Sequence, residues 1–328
     1  MVKLGIIGAG EVLEGAYLPI IPFLDDLEKV TIFDINPERL YQINEVLKTW
    51  YEKREYESYR SFFSDAKEKY KRMLETLETT TDIEKLFSES SHILILTPPA
   101  THIDIAKKCS ERNIPVILEK PLGINYSEVE EFHLEVKTKG LQVFYVENFI
   151  YNNVFKKIKE EINEGKLGKI LLIKSFLSNS LPNFSDNSWR FRKNVSGGGV
   201  LYDWGPHTIG TTLFLSGVLS NFRVENIETR YSTERSDIET YCLARIHHPE
   251  SHINMLVESS WECSKNFEES SGEYFLEVHG EKGFYRVELH KKDGLKYYAL
   301  TKSFNRKDPK TEIVNIDFPH DSYFYALN

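Results

Sequence analysis

Cysteine is scarce, with three in 328 residues. Cys109, Cys242 and Cys263 lie far apart and form no CxxC pair, which leaves neither a disulfide framework nor a structural zinc site. That usage fits a reducing cytoplasm, and no metal is expected. No apolar run reaches the roughly 20 residues that cross a bilayer. The first run begins at Leu4 and is cut by glycine within a few residues, so neither a signal peptide nor a membrane partner is expected. Positive charge is in deficit, 41 Lys and Arg against 50 Asp and Glu, a formal net charge of -9. This argues against nucleic acid and makes a small molecule the default ligand. Internal repeats and low-complexity linkers are absent.

What the chain does have is enough apolar residues, 41 % with 13 % aromatic, to fill the cores of two domains. Short apolar runs at Leu4 to Ile7, Val30 to Phe33, Ile93 to Leu96, Val116 to Leu118 and Val143 to Val146 alternate with helical patterns. This is the rhythm of a doubly wound parallel sheet, and it predicts an α/β Rossmann domain over residues 1–148. Between the second and third runs, Tyr56, Tyr59, Phe63, Ala66, Tyr70, Met73 and Leu77 recur at spacings of three and four, which predicts one amphipathic helix packed on the sheet or on a neighbouring helix. After Asn148 the rhythm changes. A helix over Val154 to Ile162 leads into a strand at Ile170 to Phe176, and later β-type runs predict an α+β domain over 149–328 with an open, largely antiparallel sheet.

The N-terminal strand runs directly into Gly8, Ala9 and Gly10, a turn tight enough for the following helix to present its amides to a pyrophosphate. Position 13 is Leu where a third glycine would complete the fingerprint, and Pro19 interrupts the expected helix. The second strand ends at Phe33 and is followed by Asp34, placed to accept from the adenosine ribose hydroxyls. An acid there repels a 2'-phosphate, favouring NAD over NADP, with Arg39 close enough in sequence to keep NADP open. TPPATHI, with Thr97, Pro98 and His102, and LEKPLG, with Glu119 and Lys120, follow two further strands at the edge where open α/β sheets bind ligands. Thr101 is expected to cap a helix from His102, and His102 reads as a hydrogen-bonder at that helix start. Lys120 follows a buried strand and precedes a proline, so its amine is held near the cleft; an exposed ion pair with Glu119 is the other reading.

Residues 197–207 read GGGVLYDWGPH. Together with GIIGAG, Asp34 and the Glu119-Lys120-Pro121 triplet, this segment resembles the glucose-fructose oxidoreductase, inositol dehydrogenase and rhizopine-catabolism family of NAD(P)-dependent oxidoreductases. The resemblance runs over nearly the whole chain, including GKLGKI before the central strand and HGEKG near the end. It implies a Rossmann domain followed by an α/β domain whose open sheet serves as a homo-oligomer interface. It further implies that Gly8 and Gly10 hold the pyrophosphate and Asp34 the ribose. Thr97, Pro98, His102, Glu119 and Lys120 would serve the rest of the cofactor. Lys120, Asp203 and His207 would meet around a sugar-like substrate, with His207 or Lys120 as acid/base and Asp203 orienting them. Glycines 197 to 199 would let the chain bend past cofactor and substrate.

Asn148 is implied in substrate binding. It is followed by Phe149 and Ile150 where relatives carry a basic pair, and Gly210 stands where relatives often carry an Asp. Trp189 and Arg190, before the glycines, read either as a sugar-stacking ring with an anion-binding charge or as a packed Trp among loop charges. The chain stops at DSYFYALN, near where relatives begin a last helix that returns toward the first domain. Two other activities fit the resemblance: a glycosidase that retains NAD and oxidises its substrate transiently, and a sugar sensor that binds the dinucleotide without turnover.

Overall fold

Valine-, isoleucine- and leucine-rich runs of four to seven residues become strands buried on both faces, as parallel sheets require. The computed structural model describes residues 1–179, 188–232, 235–262, 273–292, 295–305, 307–318 and 320–328. It divides into two units, Met1–Val146 with Asp317–Asn328, and Glu147–Ile316.

The first unit carries β1 (Val2–Ile7), β2 (Leu27–Phe33), β3 (Leu77–Thr80), β4 (His92–Ile95), β5 (Val116–Glu119) and β6 (Val143–Val146). They form a parallel sheet in the order β3-β2-β1-β4-β5-β6, the doubly wound order whose switch point lies between β1 and β4. Ile6, Ile32, Leu94 and Leu118 are fully buried. Helices α1 (Pro37–Glu52), α2 (Ala66–Thr76), α3 (Ile83–Glu89), α4 (His102–Ser110) and α5 (Tyr126–Lys139) connect the strands. Their starts obey capping chemistry. Asn36 accepts from Glu38 N at 2.9 Å with Pro37 at the first helical position, Asp82 accepts from Glu84 N at 2.9 Å, and Asn125 from Glu128 N at 2.9 Å, each cap contributing about 1 kcal/mol.

The single amphipathic helix expected over 56–77 is broken. A 3-10 turn at Glu55–Tyr59 precedes α2, and Leu77 already opens β3. Thr79 and Thr80 are β-branched and complete an edge strand against Ile32 and Phe33, which wins over helical continuation. The buried stripe survives the break, because Tyr56, Tyr59, Tyr70 and Met73 still share one core with Phe23, whose ring stacks on Phe63 at 4.3 Å. The helix after β1 is short. Leu13–Tyr17 form a π-helical turn and Ile21–Phe23 a 3-10 turn on either side of Pro19, which lacks the N–H that a continuing helix needs.

In the second unit α6 (Asn153–Asn163) precedes β7 (Ile170–Ser178). The short helices α7 (Lys193–Ser196) and α8 (Val200–Asp203) lead into α9 (Gly205–Ser216). Strands β8 (Arg223–Ser232), β9 (Arg235–His248), β10 (Ile253–Ser260), β11 (Glu273–Gly280), β12 (Gly283–Lys292), β13 (Leu295–Phe304) and β14 (Lys310–Asn315) follow. They build an eight-stranded sheet, β14-β13-β12-β11-β7-β10-β9-β8, antiparallel except where β10 runs with β7. Val154, Phe155 and Ile158 of α6 and Leu215 of α9 pack on the sheet residues Ile173, Met255, Leu276 and Val287. Apolar side chains remain exposed on the two edge strands: Val224 and Ile227 on β8, and Ile313 on β14.

The last twelve residues, grouped by sequence order with the second domain, belong to the first unit. There α10 (Asp321–Leu327) buries Phe324 and sets Tyr323 edge-on to Tyr17 at 5.1 Å. Among the described residues no helix is long and apolar enough to cross a membrane.

Truncating Phe23 removes a fully buried ring from the aromatic cluster, so Phe23→Ala is expected to lower stability by about 3–5 kcal/mol, read as a fall in urea midpoint. Burial pushes the Cys109 thiol up to about 12 and that of Cys242 up to about 11. Neither should be alkylated by iodoacetamide at neutral pH until the chain is unfolded, and peptide mass spectrometry locates the adducts.

Candidate functional site

Four strand ends of the first unit converge on one edge. At the end of β1 the chain turns through Gly8, whose φ of +107° and a would-be Cβ only 2.9 Å from the Leu96 carbonyl exclude other residues. This close pass locks the exits of β1 and β4 together, as Leu96 N donates to Ile7 O at 2.8 Å. Gly10 is the opposite case, with open space within 4 Å of where its Cβ would be, so bare backbone faces outward for a ligand to approach. Asp34, ending β2, accepts from Ala9 N at 2.8 Å through Oδ2 and from Asn36 N at 2.8 Å through Oδ1. Each carboxylate oxygen has a second lone pair, so these bonds aim the group without exhausting it. The Arg39 guanidinium donates to Gln42 along α1 at 3.3 Å.

At the ends of β4 and β5 the observations separate structural from ligand-facing roles. His102 is 1 % exposed, with Nε2 2.7 Å from Thr97 O and Nδ1 2.8 Å from Pro121 O. Burial pushes its pKa down, the two carbonyls opposing that shift. Each ring nitrogen lies beside a protein carbonyl, so His102 sits between the two exit loops and braces them. Thr101 does not cap α4. Its hydroxyl donates to Pro98 O at 2.9 Å and contacts the Thr97 hydroxyl at 2.7 Å, which holds Thr97 and Pro98 at the strand exit. Glu119 is buried, accepting from the Tyr17 hydroxyl at 2.5 Å and from Lys120 N at 2.7 Å. Through these bonds the turn after β1 fixes the backbone that carries Lys120, and the Lys120–Pro121 peptide bond is cis.

The glycine-rich segment in the second unit packs closely against a strand of that unit. Gly197 adopts a left-handed conformation (φ +88°) and ends α7. Gly199 passes so close to β9 that a Cβ would come to 1.9 Å from Glu239 O. The buried Glu239 carboxylate accepts from Gly199 N at 2.9 Å and Leu201 N at 3.0 Å, an anion at the start of α8. Gly198 and Gly199 are therefore packed against a strand of their own unit.

Asp203 ends α8, half-buried, and Trp204 separates it from α9, so Asp203 and His207 sit on two successive helices rather than on one. His207 is 3 % exposed. Its Nδ1 lies 2.7 Å from Oε1 of Glu147, and Phe149 stacks on the ring at 4.1 Å and 14°. Nε2 has no hydrogen-bond partner among the described residues. Asn148 is buried in the 3-10 turn between these two neighbours. Glu147 was not singled out in the sequence; its one signal is that it directly follows the apolar run that becomes β6. Trp189 is half-buried with the Arg190 guanidinium 4.7 Å above its ring, so one ring face is taken by its neighbour, which favours the packed reading. Among the described residues no group of three or more His, Cys, Asp or Glu could hold a metal ion.

A family model described as an oxidoreductase family with an NAD-binding Rossmann fold matches residues 2–147, and a GFO/IDH/MocA C-terminal domain model matches 155–286. The rhizopine catabolism protein MocA of Rhizobium meliloti is 30 % identical over 162 residues, 48 % of each chain. The scyllo-inositol 2-dehydrogenase (NADP(+)) IolW of Bacillus subtilis is 24 % identical over 241 residues, 72 % of this chain and 58 % of that one. The chain spans about half the length of the first curated relatives it matches. The fold is shared with a solved levoglucosan dehydrogenase in complex with NADH and levoglucosan, at a TM-score of 0.74 and 19 % identity over 98 % of this chain and 82 % of that chain.

The position of Gly199 gives a direct test. Gly199→Ala should lower stability by about 3 kcal/mol or more, through a clash that backbone cannot relieve, and an unchanged urea midpoint would overturn the close pass to β9.

Proposed function

We propose, on the premise that this chain belongs to the GFO/IDH/MocA family of oxidoreductases, that it transfers a hydride between NAD and a secondary alcohol or ketone of a sugar, cyclitol or sugar derivative. The observation that carries the reading is the state of His207, a buried imidazole with Nδ1 committed to a carboxylate, a ring clamped by Phe149 and Nε2 without a hydrogen-bond partner among the described residues.

The residues of the first unit fit the cofactor. Gly8 turns the chain, Gly10 exposes backbone toward a pyrophosphate, and Asp34 is aimed as a ribose acceptor, with its charge disfavouring a 2'-phosphate. Thr97, Pro98 and Glu119, on the neighbouring strand ends, would line its nicotinamide half. NADP remains the second choice of cofactor. When bound, the nicotinamide supplies the acceptor or donor for the hydride at the carbinol carbon. The chain's own residues manage the proton. In oxidation Nε2 of His207 takes the hydroxyl proton as the carbon–oxygen double bond forms. The Lys120 ammonium donates to the same oxygen and offsets its developing negative charge, and Asp203 orients or electrostatically tunes them. In reduction the same groups return the proton.

The sugar-like substrate rests on the relatives. One binds levoglucosan with NADH, and another is named for scyllo-inositol. The protein is read as a cytoplasmic enzyme and as a homo-oligomer through the eight-stranded sheet, whose edges carry exposed Val224, Ile227 and Ile313.

NADH formation over a panel of cyclitols, aldoses, amino sugars and nucleotide-sugars tests the proposal. Lys120→Met and His207→Asn should each lower turnover by about 10²–10⁴-fold while NAD affinity, followed by fluorescence, holds. Full activity in both variants overturns the assignment, and silence across the panel with NAD still bound favours the hydrolase or sensor readings.

A further inference from the structure

We propose that Glu147 is the positioning residue for His207: its buried carboxylate holds the imidazole in the tautomer with hydrogen on Nδ1 and the lone pair on Nε2, and residue 210 is glycine to make room for it. This rests on the reading of His207 as the acid/base, and it deepens that reading with a residue that neither motif contains.

Three independent features point to it. The first is hydrogen bonding. Oε1 of Glu147 accepts from Phe149 N at 3.1 Å and lies 2.7 Å from His207 Nδ1. An oxygen already accepting from an amide, on an acceptor-only carboxylate, leaves Nδ1 as the donor. The imidazole then presents its free lone pair at Nε2, the arrangement by which a carboxylate orients the histidine of a hydrolytic triad and stabilises the imidazolium formed in turnover.

The second feature is the cost of this carboxylate. Glu147 is 6 % exposed, and its Oε2 is buried with no hydrogen-bond partner among the described residues. A buried carboxylate oxygen without a donor is destabilising, and an ion pair so placed is weak evidence for a stabilising role. A neutral amide could accept the same two bonds through one oxygen. The charge is what a glutamine would lack, and its use is at the imidazole.

The third feature is space. A Cβ at Gly210 would come to 2.8 Å from Cγ and 3.4 Å from Cδ of Glu147, so the side chain lies directly over a glycine inside α9. Helix interiors favour almost any residue over glycine, and here the glycine lets the carboxylate reach His207, one turn earlier on the same helix. Phe149, two residues after Glu147, closes the ring's face. The turn Glu147 to Phe149 thus supplies both the acceptor and the clamp.

Ring 15N signals of His207, recorded in alkaline buffer and assigned with His207→Asn, read the tautomer without any substrate. A pyrrole-like Nδ1 and a pyridine-like Nε2 are expected in the parent, and a mixture of tautomers in Glu147→Gln, whose amide can also donate to Nδ1. With any substrate the parent turns over, Glu147→Gln should lose about 10²-fold or more in kcat, with KM, NAD affinity and thermal midpoint close to the parent. Gly210→Ala should lose kcat similarly by displacing the carboxylate, although alanine favours the helix. A merely structural role would move KM, NAD affinity and thermal midpoint together with kcat. An Nε2–H tautomer in the parent, or a Glu147→Gln variant with parental tautomer and kcat, overturns the proposal. If the parent turns over nothing, the dehydrogenase reading fails by itself and the tautomer signals alone decide whether Glu147 positions the ring.

Discussion

The close pass of two strand exits, β1 at Gly8 against β4 at Leu96, is the constraint on which the first unit's function depends. Neighbouring parallel strands whose connections leave in opposite directions open a crevice at their carboxyl ends. The crevice is useful only if the backbones at its floor are held together and left uncovered. Gly8 does the first by accepting a φ that other residues avoid, and Gly10 does the second by carrying no side chain. The Asp34 carboxylate bonded to Ala9 N then ties the end of β2 to the same turn, so three strand ends move as one.

The turn after β1 also reaches the fourth strand end. Tyr17, buried and hydrogen-bonded to Glu119, sits in the π-helical turn and is backed by Tyr323 of the C-terminal helix. Glu119 in turn accepts from the backbone of Lys120. A charge-assisted hydrogen bond in a dry environment contributes about 1.5–3 kcal/mol and is directional, so the proposed catalytic lysine is held by a chain of contacts that begins at the cofactor turn. On the other edge of the same exits, His102 bridges two loop carbonyls. Both devices use buried polar groups to fix loops that carry exposed chemistry, which explains why polar residues are found where the sheet is otherwise apolar.

The second unit solves a similar problem with a carboxylate. Glu239, from β9, accepts two amides at the start of α8, and Glu147, at the head of the 3-10 turn Asn148–Tyr151, reaches the first turn of α9. Each acid anchors a helix start whose next residues carry proposed function, Asp203 in one case and His207 in the other. The glycines around them, 199 and 210, are the spatial complement of these acids. In both places a side chain at the glycine would strike the glutamate or its backbone.

Much of this was legible in the residue order. Periodicity located the five apolar runs that became β1, β2, β4, β5 and β6, because the central strands of a parallel sheet are buried on both faces and so continuously apolar, while the edge strand β6 stays apolar though Phe144 and Tyr145 are exposed. The GxG turn and Asp34 after β2 were legible from their spacing, whereas the proposed roles of Lys120 and His207 came from the family resemblance of their motifs. The edge strand β3 was hidden inside a helical period, since Thr79 and Thr80 gain their partner only when β2 is beside them. Likewise, the sequence alone determined that Gly199 and Gly210 are glycines, but only the tertiary structure decided why: a backbone carbonyl of β9 and the side chain of Glu147 occupy the space. Contacts between residues 40 or 60 positions apart leave no period in the chain, and for that reason Glu147 came to light only when the turn at Asn148–Tyr151 and α9 were seen together.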